Sequence, residues 1–216
     1  MVTEAHRAKT ARHFGHLAKT YDQRWQRYLH LTLSRAVGAL RMTGPARVLD
    51  VGCGTGEFEQ LAHQRFPEAR LVGIDVTPDM LAVARGKFQD AAWVTFLLAQ
   101  AEDLPVASER FDAVVSCSML HHVEEPEKLL RECARALRPG GQLVVVDWCR
   151  DFLHERARHY WLRLVKPSYV KMYCGSELVE LLHPLGFVVQ DVQRFFVWPY
   201  FGMMRLSATK GPDPTR

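Results

Sequence analysis

The sequence predicts an α/β fold: a mostly parallel sheet of seven strands with helices on both faces. Three observations predict it. Short apolar runs alternate with helical patterns from Arg47 to Trp148. The run Gln142 to Trp148 is nearly all apolar, as a strand buried on both faces must be. The chain has 216 residues, 48% hydrophobic and 24% charged, enough apolar material for one sizeable core and better suited to one domain than two.

Taken in order, Trp25, Leu29, Leu33, Ala36, Val37 and Leu40 fall at helical spacing with arginines between them, giving an amphipathic helix over 22–41 that Thr43-Gly44-Pro45 stops. Val48 to Val51 is a short apolar strand running into a glycine-rich turn, and Thr55 to Phe66 reads as the helix that follows, closed by Pro67. Leu71 to Asp75 is a second strand. Pro78 sits in the first turn of a helix reaching about Asp90. Trp93 to Leu98 and Phe111 to Cys117 are the third and fourth strands. Pro126 opens a helix that ends at Arg138-Pro139-Gly140-Gly141, and Gln142 to Trp148 is the fifth strand. Beyond Arg150 the alternation lapses. Phe152 to Val165 looks helical, basic and aromatic; Ser176 to Leu185 is a helix stopped by Gly186; Val188 to Phe196 and Met203 to Thr209 are two closing strands; and Lys210 to Arg216 is a fraying tail.

The formal charge of +4 is unevenly spread: residues 1–47 sum to +7, residues 148–174 to +4, and the rest to −7. Two basic segments therefore flank an acidic body, either as solvated helix faces or as attraction for an anionic substrate or lipid surface. The five cysteines form no C-x-x-C pair, which argues against a zinc site or a disulfide framework. The N-terminus lacks the apolar stretch of a signal peptide, and no apolar run approaches the ~20 residues of a membrane span, so the expected setting is a reducing cytoplasm.

The most informative segment is Val48-Leu49-Asp50-Val51-Gly52-Cys53-Gly54-Thr55-Gly56. A strand ends, glycines permit positive φ and let a ligand lie on bare backbone, and a helix N-terminus offers unpaired N–H groups at the place where open α/β sheets bind ligands. The spacing is G-x-G-x-G, where a dinucleotide fingerprint is G-x-G-x-x-G. Asp50, two residues before Gly52, would repel a pyrophosphate and suits a ligand with an ammonium group, such as S-adenosylmethionine (SAM). Asp75, nineteen residues past Gly56, can accept hydrogen bonds from both hydroxyls of a ribose, which SAM and NAD share. Thr77 is better placed than Asp75 to cap the helix at Pro78.

With these residues in hand, the chain resembles the class I SAM-dependent methyltransferases and, among them, the small ubiquinone/menaquinone-biosynthesis type. The likeness runs from about Tyr21 to Trp148. It rests on Val48 to Gly56, on Gly73-Ile74-Asp75-Val76, on Ala101-Glu102-Asp103-Leu104-Pro105 followed by Phe111-Asp112-Ala113-Val114-Val115, and on Leu137-Arg138-Pro139-Gly140-Gly141. The resemblance implies a Rossmann-like sheet and a division into an N-terminal helical cap (1–44), a SAM-binding core (45–148), a helical acceptor-side lid (149–175) and a C-terminal helix with closing strands (176–209). It also implies site roles. Gly52, Cys53 and Gly54 line the methionyl end, Asp75 holds the ribose, Val76 and Met80 pack on adenine, Ala101 and Glu102 border its edge, and Ser116 faces the methionine portion. Tyr21, of the pair Tyr21-Asp22, closes over the cofactor. Gln100 departs from the Asp that many relatives carry beside adenine, but an amide can still bond the exocyclic amine.

Methyl transfer from a sulfonium is an in-line displacement, so alignment and exclusion of water are the protein's tasks and no metal is required. A base is needed only for an acceptor that must lose a proton. His121 is the first candidate, ahead of its neighbour His122; Tyr21 is the second, though better suited to clamping; and Cys53 is a small residue that fits the turn rather than a nucleophile. Tyr160, Trp161, Tyr169 and Tyr173, interleaved with arginines and lysines, suit a small or lipid-like acceptor with an anionic part, or simply an amphipathic helix covering the sheet. The same mixture could touch a membrane surface, whereas no nucleic-acid recognition motif is present. Two alternatives stay open. One is an NAD(P)-dependent oxidoreductase, although no Tyr-x-x-x-Lys occurs; the other is a SAM-binding module without catalysis. The acceptor's identity, its attacking atom and the oligomeric state are not readable from the sequence.

Overall fold

A computed structural model describes residues 4–166, 168–197 and 201–212. Seven strands form one sheet: β1 (Arg47–Val51), β2 (Arg70–Asp75), β3 (Val94–Leu98), β4 (Phe111–Cys117), β5 (Leu137–Trp148), β6 (Phe187–Val197) and β7 (Phe201–Lys210). Their order is β3-β2-β1-β4-β5-β7-β6, with β7 antiparallel to both neighbours and every other pairing parallel. The order reverses between β1 and β4, and the crevice beyond their carboxyl ends is where such sheets receive ligands. The helices are α1 (Glu4–Leu17), α2 (Tyr21–Ala39), α3 (Glu57–Arg65), α4 (Pro78–Lys87), α5 (Pro126–Ala136), α6 (Leu153–Val165) and α7 (Gly175–Leu182). One apolar core joins α5 and α7 to the sheet around Leu49, Val114 and Val145. A second joins α2 and α3 to the other face around Val48, Val115 and Val144. Consecutive residues of one strand thus serve opposite cores, as the two-residue period of a strand requires.

Several boundaries differ from expectation for local reasons. The helix expected from Thr55 starts at Glu57, because Gly56 adopts φ +83° and the Thr55 hydroxyl is donated to Asp22. The N-terminal cap is two helices, α1 and α2, and α2 ends at Ala39 rather than 41, where Leu40 turns extended. The helix expected to reach Asp90 ends at Lys87, with the Phe88 N–H closing the last turn on Ala84. Arg138-Pro139-Gly140-Gly141 is the irregular start of β5 rather than a helix stop: Leu137 already pairs with Phe111, and the register shifts before Ala113 pairs with Gln142. Lys210 is not part of a fraying tail. It pairs with Phe187 in the sheet, its ammonium donates to the Leu137 carbonyl, and the Gly211 N–H donates to Gly186. Residues 213–216 of that tail lie outside the described residues.

Candidate active site

The glycine turn after β1 builds the floor of a cleft. Gly52, Gly54 and Gly56 have φ of +85°, +54° and +83°, conformations that L side chains resist. A Cβ on Gly52 would also lie 2.5 Å from the Met119 side chain. The Gly52 and Cys53 N–H groups both donate to the Ile74 carbonyl, which ties the turn to the end of β2. Asp75 completes the tie: its Oδ2 accepts the Gly54 N–H at 2.9 Å and its Oδ1 accepts the Thr77 N–H at 2.8 Å. The expected division of labour at this helix start is therefore reversed. Thr77 is the N-cap residue, but its side chain makes no capping bond, and the neighbouring carboxylate satisfies its amide. Burial pushes the Asp75 carboxyl up, and these backbone donors pull it back. A carboxylate has about four lone-pair sites, so Asp75 keeps acceptor capacity toward the cleft it lines.

Beneath the turn lie two more acids. Asp50 is 2% exposed, and its Oδ1 is buried without a hydrogen-bond partner among the described residues. Burial, helped by the charge of Asp75, pushes its carboxyl up to about 8. Glu59, on α3, is wholly buried with neither oxygen hydrogen-bonded. Burial and then Asp50 hold it well above the usual carboxylate range. Nothing in the sequence reading singled it out. Glu59 also explains Gly73: a Cβ there would lie 2.5 Å from Glu59 Oε1, 2.8 Å from Phe96 and 2.9 Å from Cys53 Sγ.

An unpartnered buried acid below bare glycine backbone fits a cationic ligand, whose charge would bring it back to the carboxylate, whereas a diphosphate would push its pKa higher still. It also makes a stability prediction. A raised native pKa favours the folded state below the unfolded value near 3.8, and that advantage is lost as pH climbs toward 8. Asp50→Asn should therefore raise the ligand-free melting temperature at pH 8 by at least about 2–4 °C, the shift that each 1 kcal/mol gives in a chain of this size. The gain should vanish near pH 4, where both forms are neutral. Thermal scans at the two pH values test this, and a variant less stable at pH 8 would refute it.

The cleft opens onto about 1170 Å³ of space, counting its mouth. It brings together Tyr21, Asp50, Gly52, Cys53, Gly54 and Asp75 with Val76, Met80, Gln100, Ala101 and Glu102. Three expected residues do not line it. Gly56 sits behind, where a Cβ would meet Phe88 at 2.8 Å. Ser116 points into the fold, its Oγ buried and unbonded, and Cys117, Ser118 and Met119 form that wall instead; Ser118 turns the chain there with φ +54°. His121 lies behind the wall, while His122 lines the cleft and bonds the Ser168 carbonyl. Burial holds the Tyr21 hydroxyl far above its ordinary value, so it stays a neutral phenol, suited to a wall rather than a base. Burial likewise keeps Cys53 a thiol. Within the stretch expected to form a helical cap, α1 roofs the opening with four residues the sequence did not single out, His6, Arg7, Thr10 and Phe14, the His6 ring nitrogen 2.8 Å from the His122 carbonyl.

Beside the cleft lies an aromatic cluster that sequence spacing could not assemble. The Tyr28 hydroxyl is 2.6 Å from Ser118 Oγ and accepts the Trp148 indole N–H at 3.0 Å. His121 stacks on Trp148 with ring centres 4.0 Å apart, and its Nδ1 is 2.6 Å from Asp147 Oδ1. Burial lowers the His121 pKa, and Asp147 partly offsets this, so the ring is neutral at pH 7 with Nδ1–H donated to Asp147 and Nε2 left as the acceptor. Arg158 lies 4.4 Å over Trp148, and the Lys166 ammonium 5.3 Å from the same ring. Burial, then Arg158, brings Lys166 down to about 8.

Residues 49–145 match the family model described as "Methyltransferase domain". The chain is 39% identical over 128 residues to demethylmenaquinone methyltransferase of Thermus thermophilus, a match covering 59% of this chain and 55% of that one. It is 32% identical to demethylmenaquinone methyltransferase of Tropheryma whipplei, over 96% of this chain and 94% of the relative. The chain belongs to the SAM-dependent methyltransferase family. It spans between 51% and 61% of the length of several other curated relatives. Among solved structures, geranyl diphosphate C-methyltransferase of Streptomyces coelicolor superposes with a TM-score of 0.77 over 97% of this chain and 100% of that one, at 14% identity, a likeness of fold alone. Family membership accounts for the G-x-G-x-G spacing. The methyltransferase sheet is the seven-stranded one seen here.

Proposed function

We propose that this chain transfers the methyl group of SAM to a small or lipid-like acceptor bound on the side of the cleft where Tyr28, Trp148 and α6 cluster. The observation that carries the reading is Asp50: a buried carboxylate without a partner, directly under a glycine turn whose backbone is bare. SAM, when bound, supplies a methyl group on a sulfonium. Asp50 would face its ammonium, Gly52 and Gly54 would let its methionyl part lie close, and Asp75 would take the ribose hydroxyls. Val76 and Met80 would pack on adenine, with Gln100, Ala101 and Glu102 along its edge. Tyr21 and the roof helix would exclude water, which strengthens each of these contacts. His121, oriented by Asp147, would take at Nε2 the proton of an acceptor that must lose one. In this reading residues 1–44 cap the site, 45–148 hold the cofactor and 149–175 face the acceptor. A cytoplasmic location belongs to the same proposal, supported by five free thiols.

The test has two stages. Calorimetry should show binding of SAM and S-adenosylhomocysteine and none of NADH. Labelled methyl should then pass from SAM into a lipid or metabolite extract. Binding without transfer to any fraction would leave a non-catalytic SAM-binding module.

A further inference from the structure

Helix α6 is amphipathic the wrong way round for a helix that only covers a sheet. Its inward residues are Glu155, His159 and Leu162, with Arg158 half-buried beside them. Polar partners occupy this inner face. Glu155 is fully buried, pairs with Arg158 at 2.7 Å and accepts the Gly202 N–H; His159 Nδ1 is 2.6 Å from the Tyr169 hydroxyl. The outward face is the apolar one. Leu153, Ala157, Tyr160, Trp161 and Leu164 recur at i, i+4, i+7, i+8 and i+11, one continuous stripe. Leu153 is 81% exposed and Leu164 86%, with Tyr160 and Trp161 each more than half exposed and Val165 half exposed. Five of the eight large exposed hydrophobic side chains among the described residues thus lie on one helix of 13 residues. Scattered exposed apolar residues are ordinary, but a stripe about 17 Å long is not. Partly exposed Phe196, its ring 5.5 Å from that of His154, extends the patch onto the end of β6.

Charge chooses the occupant. The helix's one acid, Glu155, is buried, and its outward cations are Arg156 and Arg163, on one flank of the stripe. Two copies packed α6 on α6 in antiparallel fashion about a two-fold axis would press these arginines toward each other. An apolar ridge with Trp and Tyr at its sides and arginines on its flank instead matches the headgroup boundary of a bilayer, where apolar side chains enter the acyl layer and arginines meet phosphate. No helix among the described residues is long and apolar enough to cross a membrane, so contact would be from the surface.

We propose that α6 docks this protein onto an anionic phospholipid bilayer, the outer face of the helix lying in the interface while its inner face packs against Trp148. This rests on the acceptor reading above only for its purpose, delivery of a lipid-like molecule from the bilayer to Trp148; the docking itself is measured without catalysis. Full-length protein is floated with vesicles of phosphatidylcholine alone and of phosphatidylcholine with an anionic phospholipid. The wild type should float with the second and much less with the first. Leu153→Gln with Leu164→Gln should lower the partition coefficient at least about tenfold, as removal of two inserted leucines implies. Arg156→Gln with Arg163→Gln should erase the preference for anionic lipid. Trp161→Phe should lose the blue shift of emission that vesicles induce in the wild type. All variants should bind SAM as the wild type does, so failure of the cofactor reading is seen separately. The proposal is overturned if the wild type stays in the aqueous fraction, or if the leucine variant floats as well as the wild type. It is also overturned if sedimentation shows a dimer that the leucine changes dissociate while vesicles bind neither form, which would assign the stripe to a second copy.

Discussion

Asp75→Ala should weaken SAM binding about 10²–10⁴-fold while leaving the fold intact. The side chain ends β2 at the rim of the cleft, and each of its oxygens is anchored by one backbone N–H, from Gly54 and from Thr77. That anchoring fixes where the remaining lone pairs point, so two ribose hydroxyls would meet a rigid acceptor rather than a mobile one. A hydrogen bond to a charged group contributes about 1.5–3 kcal/mol. Two lost together cost about 3–6 kcal/mol, and each 1.4 kcal/mol is a factor of ten. The substitution also frees the Gly54 amide and so loosens the turn, which adds to the loss. Asp75→Asn should be nearly as damaging, because an amide offers one acceptor where two N–H donors already converge. Calorimetry with SAM, alongside circular dichroism to establish folding, reads the effect. A loss below tenfold in folded Asp75→Ala would mean that the ribose is held elsewhere.

The second large effect is expected at His121. His121→Ala should lower kcat about 10²–10⁴-fold, the usual contribution of a positioned base, with SAM affinity unchanged because His121 lies outside the cleft wall. Asp147→Asn should lose a comparable factor for a different reason. With an amide NH₂ facing Nδ1, the ring is driven to the tautomer that carries its proton on Nε2, and Nε2 can then no longer accept one. The pH profile supplies a signature that packing damage would not. Because burial holds the His121 pKa below 6.5, kcat should rise with pH, level off below neutrality and stay flat above. Equal turnover in wild type and both variants, all binding SAM, would show that the acceptor needs no base here.

How much of this was legible in the sequence follows from how local each feature is. The glycine turn, Asp75 at a strand end and the strand–helix alternation are written in consecutive residues, because steric permission and two-residue periodicity act over a few positions. The His121–Asp147 contact joins residues 26 apart, and the Trp148–Tyr28 bond residues 120 apart. Only the pairing of β4 with β5 and the seating of α2 bring them together. Ser116 lies one position before the residues that line the cleft because the wall is set by the turn at Ser118, where a non-glycine residue takes a positive φ that composition does not announce. Glu59 reads as an ordinary charge on an amphipathic helix until Gly73 is seen to make room for it. Family resemblance supplied the cofactor roles that periodicity could not. It implied a helical lid over 149–175 but not which face of α6 turns outward: an outward stripe has the same period as an inward one, and only the buried Glu155 and His159 reveal which side faces the sheet.

The roof of the cleft has a thermodynamic consequence. No residue of α1 is fully buried, and Phe14 reaches the body of the protein through edge contacts with His122 and Tyr21. Lifting such a helix exposes little apolar surface, so it belongs to the part of the fold that opens most cheaply. Ligand retention and seating of this helix are then one linked equilibrium. The residence time of bound S-adenosylhomocysteine should then follow how readily α1 peels away, while the sheet beneath stays as it is.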